Sequence, residues 1–149
     1  MAGALIAEPA SAARDLAYAY RVRAFANAWA KGGFDAMFDF PLGFAMGDVF
    51  CKGASPATLG AVLTNDRRYP DPSSLVTLVD NHDLPRIASV CPSTLVEAAL
   101  AMLFVSRGTP AVTYGTEHGL EGEHEPDNRR SYPLLPHHVP APYAPFLRA

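Results

Sequence analysis

The chain has 149 residues, 49% of them apolar and 18% charged, a balance that fits one soluble globular domain able to bury a core of its own. Its net charge of -3 offers nucleic acid and anionic membranes no attraction, so neither is expected as a partner. No stretch reaches the roughly 18 apolar residues that span a bilayer. The start, MAGALIAEPASAARDLAY, has no basic segment before its short apolar run, so no signal peptide is expected and the cytoplasm is favoured. Cys51 and Cys91 form no CxxC pair and are too few for a disulfide framework; two free, buried thiols are expected.

Along the chain, short apolar runs alternate with helical patterns, as in βαβ units with a parallel sheet. The first candidate strand is Ala4–Ala7, closed by Glu8 and Pro9. Ser11 to Lys31 follows as a helix with Leu16, Tyr20 and Ala24 on one face, ended by Gly32-Gly33. Phe34–Phe40 alternates aromatic and polar residues as a second strand, stopped by Pro41, and a short helical segment follows around Phe44–Phe50. Ser55-Pro56 starts a helix, serine as N-cap and proline at the first helical position, that runs to about Arg67. Leu75–Val79 is a continuous apolar run, the pattern of a strand buried on both faces. Thr94 and Glu97 then read as a capping box for an apolar helix ending near Ser106 with Gly108 as C-cap. A last strand, Pro110–Tyr114, leads into a polar loop rich in glycine and acids. Five prolines crowd residues 133–149 and forbid a regular helix there, so this tail is expected to be irregular.

Four parallel strands with three helices between them make an α/β unit. A complete (β/α)₈ barrel takes about 250 residues, so a chain of this length holds roughly half of one. In parallel α/β folds the working residues sit where strands end. Strand Leu75–Val79 discharges into Asp80-Asn81-His82-Asp83, then Pro85-Arg86. An aspartate and an imidazole side by side suit a polyol, because the carboxylate accepts from two adjacent hydroxyls while histidine donates to a third. Asp and Asn also favour turns and helix N-caps for purely local reasons, and the residues alone leave both readings open.

VDNHD at Val79–Asp83 resembles the strand-seven motif of the α-amylase family of glycoside hydrolases. Three more segments agree in order and spacing: GFDAMFDFPL (Gly33–Leu42) resembles the strand-six region, GTPAVTYGTEHGL (Gly108–Leu120) strand eight and its loop, and EPDNRR (Glu125–Arg130) the segment after that loop. Together they run from about Gly33 to Tyr132. The resemblance implies a partial TIM (β/α)₈ barrel, with units corresponding to strands five to eight in residues 1–132 and the proline-rich tail in 133–149. It implies retaining hydrolysis or transfer at α-glucosidic bonds of glucans or oligosaccharides; no cofactor and no metal are expected. Such chemistry needs a nucleophilic carboxylate and a general acid about 5–5.5 Å apart. Asp83 matches the family's third carboxylate, which grips sugar hydroxyls, and His82 the neighbouring sugar-binding histidine. Asp80 and Asn81 match residues that hold the loop. Asp127 and Arg129 lie in a segment that lines a sugar subsite.

The general acid belongs after strand five, where Glu8 is the only acid in position, although Ala7 stands where the family has glycine. A glutamate near a helix N-terminus that interacts with the dipole is the alternative. The family's nucleophile, an aspartate after strand four, has no counterpart among the seven residues before Glu8. The loop Glu117–Glu125 gathers acids around His118 and His124 but fits no zinc or calcium spacing, and reads as solvated. Phe38, Phe40, Phe44 and Phe50 suit either sugar stacking or the core, and the core is expected for most. Three readings follow: a hydrolase fragment, a transferase or sugar isomerase on the same scaffold, or a non-catalytic sugar-binding chain. Exposed strand edges make self-association an expectation of all three.

Overall fold

Leu75–Leu78 forms the central strand because its side chains are buried on both faces, Leu75 and Leu78 at 1% exposure and Thr77 at 0%. A computed structural model of the chain describes residues 9–132 and 142–143. Helix α1 spans Pro9–Gly32, strand β1 Met37–Phe38, helix α2 Phe40–Met46, helix α3 Ala57–Leu63, strand β2 Leu75–Leu78, helix α4 Ile87–Val90, helix α5 Ser93–Val105 and strand β3 Thr109–Ala111. The sheet is parallel with order β1-β2-β3; Met37 pairs with Leu75, and Val76 with Thr109. Strands follow one another in chain order, as right-handed crossovers arrange them. The expected strand Ala4–Ala7, Glu8 and all of the tail except residues 142–143 lie outside the described residues.

The core sits between the sheet and its helices and includes Tyr18, Val22, Trp29, Leu42, Met46, Val62, Val96, Leu100 and Leu103. Helix α1 presents Tyr18, Val22, Ala26 and Trp29 to it, a stripe at helical spacing. The face expected to be buried, with Leu16 and Tyr20, is instead exposed at 73% and 74%. This helix is apolar on more than one side, so periodicity alone does not choose the inward one.

Strand β1 is far shorter than the alternation Phe34–Phe40 predicts. The carboxylate of Asp39 accepts the backbone N–H of Leu42 at 3.2 Å, and Pro41 follows within the first turn, so the chain enters α2 at Phe40. The helix predicted around Phe44–Phe50 therefore begins earlier and ends in a π-helical turn, Gly47–Cys51. Phe44 and Phe50 pack against the core, whereas Phe38 stays half exposed. The capping box at Thr94 and Glu97 does not form. Pro92 already marks the boundary of α5, which begins at Ser93 without a side-chain cap. Strand β3 ends at Ala111, short of the predicted Tyr114.

Two long-range ties complete the unit. The guanidinium of Arg107 bonds Asp39 through one nitrogen and Asp66 through two others at 2.8 and 2.6 Å, joining the starts of β3 and α2 to the α3–β2 connection. Burial raises the Asp39 carboxyl above its ordinary range, opposed by the Arg107 charge. Cys51 and Cys91 form a disulfide, with Cα atoms 4.2 Å apart, which corrects the expectation of two free thiols. Their sequence separation of 40 hides this proximity from sequence inspection. At Gly108 (φ +91°) a Cβ would collide with the Leu75 carbonyl, so only glycine lets β3 approach β2 this closely.

Candidate active site at the strand ends

The site is built on a buried polar node. Asp80 follows β2 and is 1% exposed. Its carboxylate accepts the Ile87 N–H at 2.9 Å and the Thr116 hydroxyl at 3.3 Å, and its carbonyl accepts the Thr113 hydroxyl at 2.9 Å. Arg86, fully buried, brings Nε to 3.9 Å from Asp80, donates Nη2 to the Tyr114 carbonyl and donates its backbone N–H to Gly122 at 2.8 Å. Burial raises the Asp80 carboxyl, while the Ile87 N–H and the Arg86 charge pull the other way. The loops after β2 and β3 are thereby fastened to each other. The turn between Asp80 and Arg86 is pushed outward.

That turn is itself specified locally. Asn81 Oδ1 accepts the Asp83 N–H at 2.9 Å, an Asx turn. Asn128, 2% exposed, donates from Nδ2 to the carbonyls of His82 at 2.9 Å and Leu84 at 3.0 Å. The side chains of His82 and Asp83 emerge side by side, Nε2 and Oδ2 3.4 Å apart, and both are exposed. Arg129 Nη2 lies 3.0 Å from Asp83 Oδ1, and its Nε donates to the His82 carbonyl at 3.1 Å. Glu125 reaches the same Arg129 nitrogen at 3.4 Å.

His82, Asp83 and Arg129 are thus brought together, and Asp127 is not. Asp127 binds Arg130 Nε at 2.7 Å and accepts the Glu123 N–H at 3.3 Å; the Arg130 hydrogen bond holds its carboxyl below the usual range. The segment EPDNRR offers two carboxylates, Glu125 and Asp127, to two adjacent arginines. Glu125, four residues before Arg129, is the acid of this segment that joins the cluster, and Asn128 anchors the turn; sequence reasoning assigned neither. Each carboxylate oxygen of Asp83 faces a nitrogen-bearing partner, so the group is oriented yet still open to solvent. Among the described residues no set of three or more His, Cys, Asp or Glu side chains is gathered for a metal. A cleft of about 330 Å³ lies nearby between α1, α2 and the Leu84–Val90 stretch, lined by Tyr18, Arg21, Phe44 and Val79, but His82, Asp83 and Arg129 do not line it.

A parallel α/β unit with an acid, a histidine and an arginine gathered at the carboxyl ends of its strands is the layout of a barrel-type enzyme site. Over about two thirds of its length the chain is related to the α-amylase family of glycoside hydrolases. A cyclomaltodextrin glucanotransferase of Bacillus licheniformis is 38% identical over 101 residues, covering 66% of this chain and 14% of that protein. A beta/alpha-amylase of Paenibacillus polymyxa is 34% identical over 106 residues, 65% of this chain and 9% of that one. Among solved structures, an Anoxybacillus α-amylase superposes with a TM-score of 0.67 at 33% identity, over 78% of this chain and 27% of its own. The α-amylase of Geobacillus thermoleovorans, solved with acarbose, gives 0.67 at 30% identity over 79% and 27%. The chain therefore spans about a seventh of the length of the first of these curated relatives. No family model matches it.

Proposed function

We propose that this chain supplies the sugar-gripping half of an α-amylase-type centre acting on α-glucosidic bonds of glucans or oligosaccharides. The observation that carries the reading is the Asp83 carboxylate, exposed at the end of β2 and held between His82 and Arg129. In this reading Asp83 accepts from two neighbouring sugar hydroxyls and His82 donates to a third, contacts that strengthen as the ring distorts toward an oxocarbenium-like geometry. Glu8 is the proposed general acid, and Asp127, from the same segment as Arg129, is the proposed substrate-binding acid of the neighbouring subsite. The 149 residues hold no counterpart of the nucleophile, so a complete centre requires a further segment of protein. That the relatives include cyclomaltodextrin glucanotransferases as well as amylases supports glycosyl transfer as a second reading of the same site.

The test is calorimetric titration of the chain with maltooligosaccharides. Weak binding is expected, and Asp83→Ala should abolish it, because removing a carboxylate that takes two charge-assisted hydrogen bonds costs about 1.5–3 kcal/mol for each bond lost. Binding unchanged in Asp83→Ala overturns the reading.

Self-association belongs to the same proposal. Among the described residues β1 and β3 each pair on one side only, and Leu16, Tyr20, Phe38 and Val112 expose apolar surface. Light scattering at rising concentration should show a dimer or larger species. A clean monomer that binds no hydrophobic dye argues against it.

A further inference from the structure

The Cys51–Cys91 bond takes no part in the proposed site, yet it holds a segment on which that site depends. Cys51 ends the π-helical turn Gly47–Cys51 and packs against the core. Cys91 follows helix α4 and closes it, its N–H donating to the Ile87 carbonyl at 3.0 Å. Helix α4 is a single turn, Ile87–Val90, without a side-chain cap, too short to keep its place by its own hydrogen bonds. It is held from both ends instead. At its start Asp80 accepts the Ile87 N–H, and at its end Cys91 is bonded to Cys51. Between them Ser89 Oγ accepts the Gly122 N–H at 2.7 Å. Helix α4 therefore fixes one side of the Asp80–Arg86 node from which the His82–Asp83 turn projects.

The bond is also within reach of a reductant. Cys91 is buried, whereas Cys51 is half-buried and lines the cleft between α1, α2 and the Leu84–Val90 stretch. Val90, next to Cys91, lines the same cleft. Arg21 and Lys52 stand in its lining against one acid, Asp48, a balance that favours the approach of an anionic thiolate. One thiolate of a dithiol attacks Cys51 Sγ, and the Cys91 thiolate leaves. The second sulfur of the reagent then displaces the Cys51 thiolate from the mixed disulfide. The reagent closes as a disulfide, and two electrons and two protons pass to the cysteine pair.

We propose that the Cys51–Cys91 bond is a redox switch for the His82–Asp83 turn: oxidised, it pins α4 and the node behind the turn, and reduced through the cleft by a dithiol, it releases both. Only its effect on saccharide rests on the reading of the turn as sugar-binding. The test follows amide hydrogen exchange by mass spectrometry on the 149-residue chain, oxidised, treated with dithiothreitol without denaturant, and reoxidised. Reduction should speed exchange over residues 80–91 about tenfold or more, as a local opening, and leave the core of α5 unchanged. Reoxidation should restore the slow rate. Cys51→Ser with Cys91→Ser should exchange as the reduced chain does and ignore the dithiol; should this variant not fold, the wild-type comparison decides alone. Maltohexaose affinity, measured in both states, should fall about tenfold on reduction, in proportion to the fraction of chains that keep the turn formed. A bond that resists dithiol in the folded chain overturns the proposal. So do exchange over residues 80–91 that is equal in both states, exchange that rises throughout α5 as well, and equal maltohexaose affinity in both states. If the turn opens on reduction but neither state binds maltohexaose, the sugar reading fails and the switch stands.

Discussion

The purified 149-residue chain is expected to leave starch and maltooligosaccharides uncleaved under conditions where amylases turn over freely. Retaining chemistry passes through a covalent glycosyl intermediate, which requires one carboxylate to attack the anomeric carbon while a second protonates the leaving oxygen. In the proposed arrangement Asp83 is the hydroxyl-gripping acid and not the attacking group. Its two oxygens are oriented by His82 and Arg129, which suits hydroxyl recognition. Glu125 shares the Arg129 nitrogen and belongs to the same wall. Loss of a covalent nucleophile costs on the order of a millionfold in kcat in enzymes where it has been removed, so release of reducing sugar should stay at background. Turnover at ordinary enzyme rates, abolished by Glu8→Gln, would show that the nucleophile comes from a residue or a second copy not recognised as such.

The largest effect on stability is expected from Asp80→Ala. It removes the carboxylate 3.9 Å from the fully buried Arg86 and leaves the Ile87 N–H and the Thr116 hydroxyl without their acceptor. Breaking a buried ion pair from one side costs about 3–5 kcal/mol, because the remaining charge stays desolvated without a partner. Asp80→Asn should cost less, since the amide oxygen still accepts from Ile87. The measurement is urea unfolding of each variant, with Arg86→Met alone and combined with Asp80→Asn to close a double-mutant cycle. If the two positions act as a pair, the double variant loses clearly less than the sum of the single losses. Simple additivity would mean that Arg86 and Asp80 stabilise the loops separately.

Much of the site was legible because its chemistry is local. Asp80, His82 and Asp83 follow an apolar run that reads as a buried strand, and the turn that shapes them is closed by Asn81 from within the motif. Arg129 was legible as a member but its carboxylate partner was not. EPDNRR offers Glu125 and Asp127 to two adjacent arginines, and the choice depends on the short 3₁₀ turn at Asp127–Arg129, which composition does not specify. Strand β2 and helix α5 were readable from their apolar runs. Strand β1 was overdrawn because a period-two aromatic pattern competed with a helix start at Asp39 and Pro41, and the helix start prevailed. The inward face of α1 and the Cys51–Cys91 bond depend on partners many residues away, which no local pattern contains.

The bond between Cys51 and Cys91 encloses α3, β2 and the whole His82–Asp83 turn in one covalent ring. A peptide bond cut anywhere between residues 52 and 90 therefore yields two ends but a single molecule, whose mass on a denaturing gel falls only after reduction. The clamp turn can be nicked without being released from the sheet that carries it.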